Sequence, residues 1–204
     1  MLSAMNYAPD WPPPPLLTHY LLESPWLVCV TLLTVAAALA LIGWRGGQRR
    51  PMIASAIAAC LAGVLFLVAM LVQTDRERMA QRARAMVDAA ASPVNLELFG
   101  ETLSEDATFF GRDRDAILGM LQRSAHRWQV SQAYITRLEV HQDDATRGQT
   151  YLSIITRLNT SFGGGSAQTR WLLHWRKEPD GVWRIRRIEW LSLNDRDARE
   201  GDLP

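Results

Sequence analysis

The sequence predicts an α+β protein carried on a transmembrane helical hairpin: two spans, then about three helices packed on a curved antiparallel sheet. Three observations predict this. Two long stretches carry no charged side chain, one between Glu23 and Arg45 and one between Arg50 and Asp75. Beyond them, apolar residues recur at helical spacing as far as Trp128 and then alternate with period two from Ala133 onward. Short turns rich in Gly, Pro and Asp separate the alternating runs, which makes consecutive strands antiparallel neighbours.

The apolar spans are residues 26–44 and 52–72. As helices they measure roughly 28 Å and 31 Å, matching a hydrocarbon core of about 30 Å. A buried helix pair in a soluble core is disfavoured, because neither span has a polar face to turn toward water. Trp26 and Trp44 stand at span ends, where indole rings favour the membrane interface. Ser55, Ala59 and Gly63 on the second span, and Ala36 and Ala40 on the first, recur every four residues; small residues so spaced predict a close-packed seam. The loop between the spans holds Arg45, Arg49 and Arg50, whereas residues 1–44 hold no Lys or Arg. The positive-inside rule then puts the loop in the cytoplasm and the C-terminal domain outside it. The lipid bilayer is thus the first expected partner, through 26–44 and 52–72.

From Thr74 onward 19 basic residues face 19 acidic ones, so no nucleic-acid partner is expected. Of 22 basic residues 21 are arginine, a composition that points to a bacterial source and so to an inner membrane. Cys29 and Cys60 both lie within the spans, which makes them packing residues rather than metal ligands.

Residues 1–24 contain Trp11 and the run Pro12-Pro13-Pro14-Pro15, which cannot be helical and reads as a disordered tail. Met79, Ala83, Met86, Val87 and Ala90 form one stripe of a helix over 75–91. Ser92-Pro93 restarts the chain as cap and first residue of a second helix to about Leu103. A short strand over 107–110 follows, and Gly111 turns the chain. Asp113 caps a third helix with Ile117, Leu118, Leu121, Ala125 and Trp128 inward. Four strands are expected over 133–142, 148–162, 166–177 and 182–193, with 163–165 as a hairpin tip. Trp171, Leu173 and Trp175 share one face, and Arg186-Arg187 breaks the alternation of the last strand, predicting a bulge. Residues 195–204 read as a polar tail.

The stretch 79–193 resembles the nuclear transport factor 2-like, or SnoaL-like, superfamily. The likeness is carried by Phe99-Gly100-Glu101-Thr102 running into Leu103-Ser104-Glu105-Asp106-Ala107-Thr108-Phe109, by the opening of the third helix from Gly111 to Ile117, and by Asp180-Gly181-Val182-Trp183-Arg184-Ile185. It implies a cone-shaped, cystatin-like domain, often with an apolar pocket at its mouth. The superfamily hosts enzymes, binders and structural modules alike, so the fold alone names no activity.

Enzymes of that superfamily abstract a proton beside a carbonyl, which needs a base and an oxyanion donor in the cone. No acid–donor pair here matches a family motif, so no catalytic residue is assigned. No cofactor or metal is expected: His141, Asp143 and Asp144 crowd one turn and do not converge on an ion, and 163–165 lacks the lysine and helix of a phosphate loop. A pocket, if formed, would draw on Asp106, Phe109, Phe110, Trp128, Tyr134, Thr156, Trp171 and Trp175. Arg157, Arg170, Arg176, Arg184 and Arg186 would mark a sheet face for a second copy or a protein partner. The expectation is a membrane-anchored, non-catalytic binding or assembly module. The alternative is a small tethered isomerase, dehydratase or cyclase.

Overall fold

A computed structural model describes residues 9–12, 25–47, 49–71, 74–91, 93–127, 129–160 and 163–199. The chain divides into two compact units, Pro12–Thr74 and a domain formed by Asp75–Pro204 together with Met1–Trp11.

In the first unit α1 spans Pro25–Gly46 and α2 spans Arg49–Leu71. Both are long and apolar enough to cross a membrane, and 17 % and 6 % of their apolar windows are buried. Their seam follows a heptad. Cys29, Ala36 and Gly43 are buried seven residues apart, with Leu32 and Leu39 half-buried between them. They face Ser55, Ala58, Ala62 and Leu65 of α2. The expected four-residue ladder is therefore only partly used: Ala36 and Ser55 lie on the seam, while Ala59 and Gly63 are exposed. A 3.5-residue repeat keeps two supercoiled helices in register, and a four-residue ladder drifts off the contact line. The Ser55 hydroxyl donates to the Ala36 carbonyl across the seam at 2.7 Å. Gly43 permits the close approach at the turn, since a Cβ there would lie 2.6 Å from the Met52 side chain.

The domain opens with α3, Asp75–Ala90, whose predicted stripe is buried at Met79, Ala83, Met86 and Val87. The next helix, α4 (Leu96–Thr102), starts later than expected. Asn95 caps it, accepting from Leu98 N at 3.0 Å, and Ser92 lies outside the described residues. Helix then passes directly into strand β1, Leu103–Phe109, four residues ahead of the expected start. Phe110 and Gly111 form a two-residue turn with positive φ, closed by paired hydrogen bonds between Phe109 and Arg112. Asp113 caps α5 (Arg114–Arg127) through Ala116 N at 2.9 Å, as expected.

Four long strands follow: β2 (Gln129–Gln142), β3 (Arg147–Thr160), β4 (Gly163–Lys177) and β5 (Trp183–Leu193). A short β6, Arg196–Asp197, pairs with β5 inside the stretch read as a polar tail. The sheet order is β1-β5-β4-β3-β2. Consecutive long strands are antiparallel, but β1 lies parallel to β5, so the sheet is mixed rather than wholly antiparallel. β1 reaches the sheet before its partner exists in sequence, and period-two alternation says nothing of which edge a short strand will join. Gly163, Gly164 and Gly165 are not the hairpin tip; they pair with Thr160, Asn159 and Leu158. The bulge expected in β5 is present, with Arg186 as the extra residue between Ile185 and Arg187. Two more interrupt β2 near Ser131 and Thr136. Such extra residues bend and twist a strand, which curves the sheet around the helices.

The helices cover one face. At one end Met79, Leu152, Leu173, Trp183 and Ile185 are fully buried. Gly148 lets this end close: a Cβ there would meet Met79 Sδ at 2.8 Å and the His141 carbonyl at 3.0 Å. At the other end the core does not close.

Candidate functional site

The open end of the domain holds a cavity of about 280 Å³. Each element contributes through the residues its periodicity turns inward. From α3 come Met86, Val87 and Ala90, with Ala91 just after it; from α5 come Ile117, Met120, Leu121 and Ser124. The sheet adds Phe109, Val130, Ala133, Ile154, Thr156, Thr169, Trp171 and Ile188, and Phe99 closes the wall. Small residues on α3 and at Ala133 leave the space, because facing methyls are too short to meet across it.

No ionisable side chain stands among these lining residues. The polar ones are three hydroxyl residues, two of them already engaged. Thr156 donates to the Ala167 carbonyl at 3.2 Å, and Thr169 accepts from the Trp171 indole N–H at 2.8 Å. Ser124 supplies the third hydroxyl. Trp171 is the largest wall element, fixed from two sides: stacked on Trp190 with ring centres 5.5 Å apart, and tilted against Phe109 at 6.0 Å. A rigid aromatic wall with few polar groups suits an apolar guest.

Of the eight pocket residues named from sequence, Phe109, Thr156 and Trp171 line this cavity. Trp175 is buried away from the cavity lining, its indole N–H donating to Thr150 Oγ1 at 2.9 Å. Phe110 is 38 % exposed in its turn and borders a separate groove with Arg187 and Glu189. Tyr134 is 47 % exposed and donates to Gln132 at 2.6 Å under the Arg157 guanidinium. Trp128 lies outside the described residues. Asp106 is not in the cavity; it takes Arg176 at 2.9 Å and Arg186 at 3.2 Å. The hydrogen bond from Ser104, together with these guanidiniums, holds its carboxyl below the usual range. Glu178 is lowered in the same way, first by Ser104 and then by Arg176.

The five sheet-face arginines are all engaged. Arg170 meets Asp195 at 2.6 Å, Arg184 meets Asp180 at 2.8 Å, and Arg157 donates to Gln132 at 3.4 Å. Arg176 and Arg186 share Asp106. His174, half-buried between the buried Leu173 and Trp175, pairs with Glu189 at 3.0 Å. Sequence reasoning placed Met86, Val87, Ala90, Ile117 and Leu121 on inward stripes but could not tell a filled core from a hollow one. Met120, Ile154, Thr169 and Ile188 were not singled out as pocket residues.

A further cluster fastens the start of α3. Lys177 Nζ lies 3.0 Å and 3.1 Å from the two Asp75 oxygens. The buried Trp183 indole N–H has no partner at full hydrogen-bonding distance, yet it lies close enough to stabilise the Asp75 carboxylate. Burial alone would raise the Asp75 pKa; Trp183, Lys177 and Arg78 together outweigh it and lower the value.

No family model and no curated protein matches the chain. Solved structures do. An aromatic ring hydroxylase-like protein of Novosphingobium aromaticivorans shares 16 % identity over 60 % of this chain and 96 % of that one, with a TM-score of 0.50. A ketosteroid isomerase-like protein of Erwinia carotovora atroseptica shares 17 % identity over 58 % and 99 %, with a TM-score of 0.47. A Xanthomonas campestris protein resembling a calcium/calmodulin-dependent protein kinase II association domain shares 16 % over 58 % and 87 %, also at 0.47. At such identities the likeness concerns the fold alone, a nuclear transport factor 2-like fold in the part of the chain that follows the two apolar helices.

Proposed function

We propose that this chain, with its nuclear transport factor 2-like domain, is a membrane-anchored binding module that holds a small apolar ligand without transforming it. The observation that carries the proposal is the cavity of about 280 Å³ with no ionisable group in its described lining. A share of about 30 Å³ per water-sized group gives room for about nine carbon-sized groups, the scale of a bicyclic arene or a medium-length alkyl chain. Proton abstraction needs a base within hydrogen-bonding reach of the substrate. Asp106 and Tyr134, the acid and the tyrosine among the pocket candidates named from sequence, both lie outside the cavity, which weighs against the isomerase alternative. The outer sheet face gives less support to a docking role, because Arg170, Arg176, Arg184 and Arg186 are each paired with a carboxylate. On this reading α1 and α2 cross a bacterial inner membrane with the arginine-rich loop in the cytoplasm.

The test is calorimetric titration of the full chain in nanodiscs with naphthalene, against empty nanodiscs. Ten carbon atoms at roughly 0.3–0.6 kcal/mol each correspond to millimolar to tens-of-micromolar affinity. Saturable heat above the blank, with a negative heat-capacity change, supports the proposal. Heat identical to that of empty nanodiscs refutes it.

A further inference from the structure

Residues 9–11, ahead of the apolar hairpin, belong to the same compact unit as the domain. Trp11 N donates to the Pro9 carbonyl at 3.1 Å, closing a tight turn. The half-buried Trp11 indole stacks on the His141 imidazole, with ring centres 5.4 Å apart and planes 17° from parallel. His141 lies at the end of β2 and is also 3.6 Å from Asp143. Its carbonyl borders Gly148, which in turn borders Met79 in the first turns of α3.

We propose that the surface around His141 is an interaction site for this chain's own N-terminal segment, with Trp11 as its anchor. Residues ahead of the hairpin are then held to the domain by the Trp11–His141 stack. An aromatic pair adds about 0.5–1.5 kcal/mol beyond its buried area, too little to hold two separate molecules. Here only 13 residues separate Trp11 from Pro25, so the stack forms at an intramolecular concentration of roughly millimolar order. Combined with the reading of α1 and α2 as membrane spans, on which this second step rests, the strap requires Trp11 and the domain to share one side of the membrane.

Two measurements on the full chain test this. The chain has four histidines, so the His141 ring-proton resonance is assigned in nanodiscs by comparison with His141→Gln. Stacking under an indole shifts that resonance upfield. Trp11→Leu abolishes the shift and Trp11→Phe keeps most of it. An unchanged His141 resonance in Trp11→Leu overturns the strap. Separately, Asp10→Cys, Gly47→Cys and Arg196→Cys are labelled in sealed vesicles with a membrane-impermeant maleimide. Positions 10 and 196 label together and position 47 from the opposite side. If 10 and 196 label from opposite sides, the strap is overturned. If all three label together while the histidine shift is lost in Trp11→Leu, the strap stands and the membrane crossing falls.

Discussion

Filling the cavity should make the protein more stable and less able to bind. Ala133 is the site of choice: it sits on β2, half-buried, with its methyl group on the cavity wall. Ala133→Ile adds three carbon atoms and suits a strand, where β-branched side chains pack well. Each buried methylene is worth about 0.8 kcal/mol, so three give up to about 2 kcal/mol. For a protein of this size that raises Tm by about 4–8 °C, at roughly 2–4 °C per kcal/mol. The added volume removes part of the space for a guest, so naphthalene affinity falls at least about tenfold, the equivalent of 1.4 kcal/mol. Differential scanning calorimetry in nanodiscs measures the first effect and titration the second. Ala90→Leu, on the opposite wall, guards against local strain at β2. A fall in Tm for both variants would mean that no usable space exists there. A rise in Tm with unchanged binding would mean that the ligand sits elsewhere.

Acid should loosen the domain through Asp75, Asp106 and Glu178. Each has its folded carboxyl held below the ordinary value, so each contributes stability that is complete above the unfolded values of about 4. That contribution is lost as pH falls below 4 toward the depressed folded values. Acid titration followed by circular dichroism should show this loss, and Arg176→Gln should shrink it while leaving the Lys177–Asp75 share; an identical acid profile in the variant would refute the assignment. Gly148→Ala should cost about 1–3 kcal/mol by overpacking, because Met79 is fully buried and the His141 carbonyl cannot retreat without bending β2. Chemical denaturation of wild type and variant checks this, and equal midpoints would show that the gap is softer than the distances imply.

Local chemistry determined much of this protein in advance. Uncharged length alone marked α1 and α2. Inward stripes named α3 and α5, Asp113 announced the cap of α5, and alternation with intervening turns gave the antiparallel run from β2 to β5. The paired arginines at 186 and 187 announced the bulge. These features depend on residues close in sequence, where propensity and periodicity act directly. Long-range partnership was different. Nothing near Leu103 states that β1 joins β5 in parallel. The seven-residue seam of the hairpin required both helices to be seen at once. Asp106 looked like a pocket acid until Arg176, 70 residues away, was found holding it on the outer face. The cavity is the clearest case: a stripe such as Met86, Val87 and Ala90 has the same pattern whether the facing side chains reach it or stop short. Whether they meet depends on sheet curvature and on the volumes of residues from eight elements together, and that is settled only when the chain is folded.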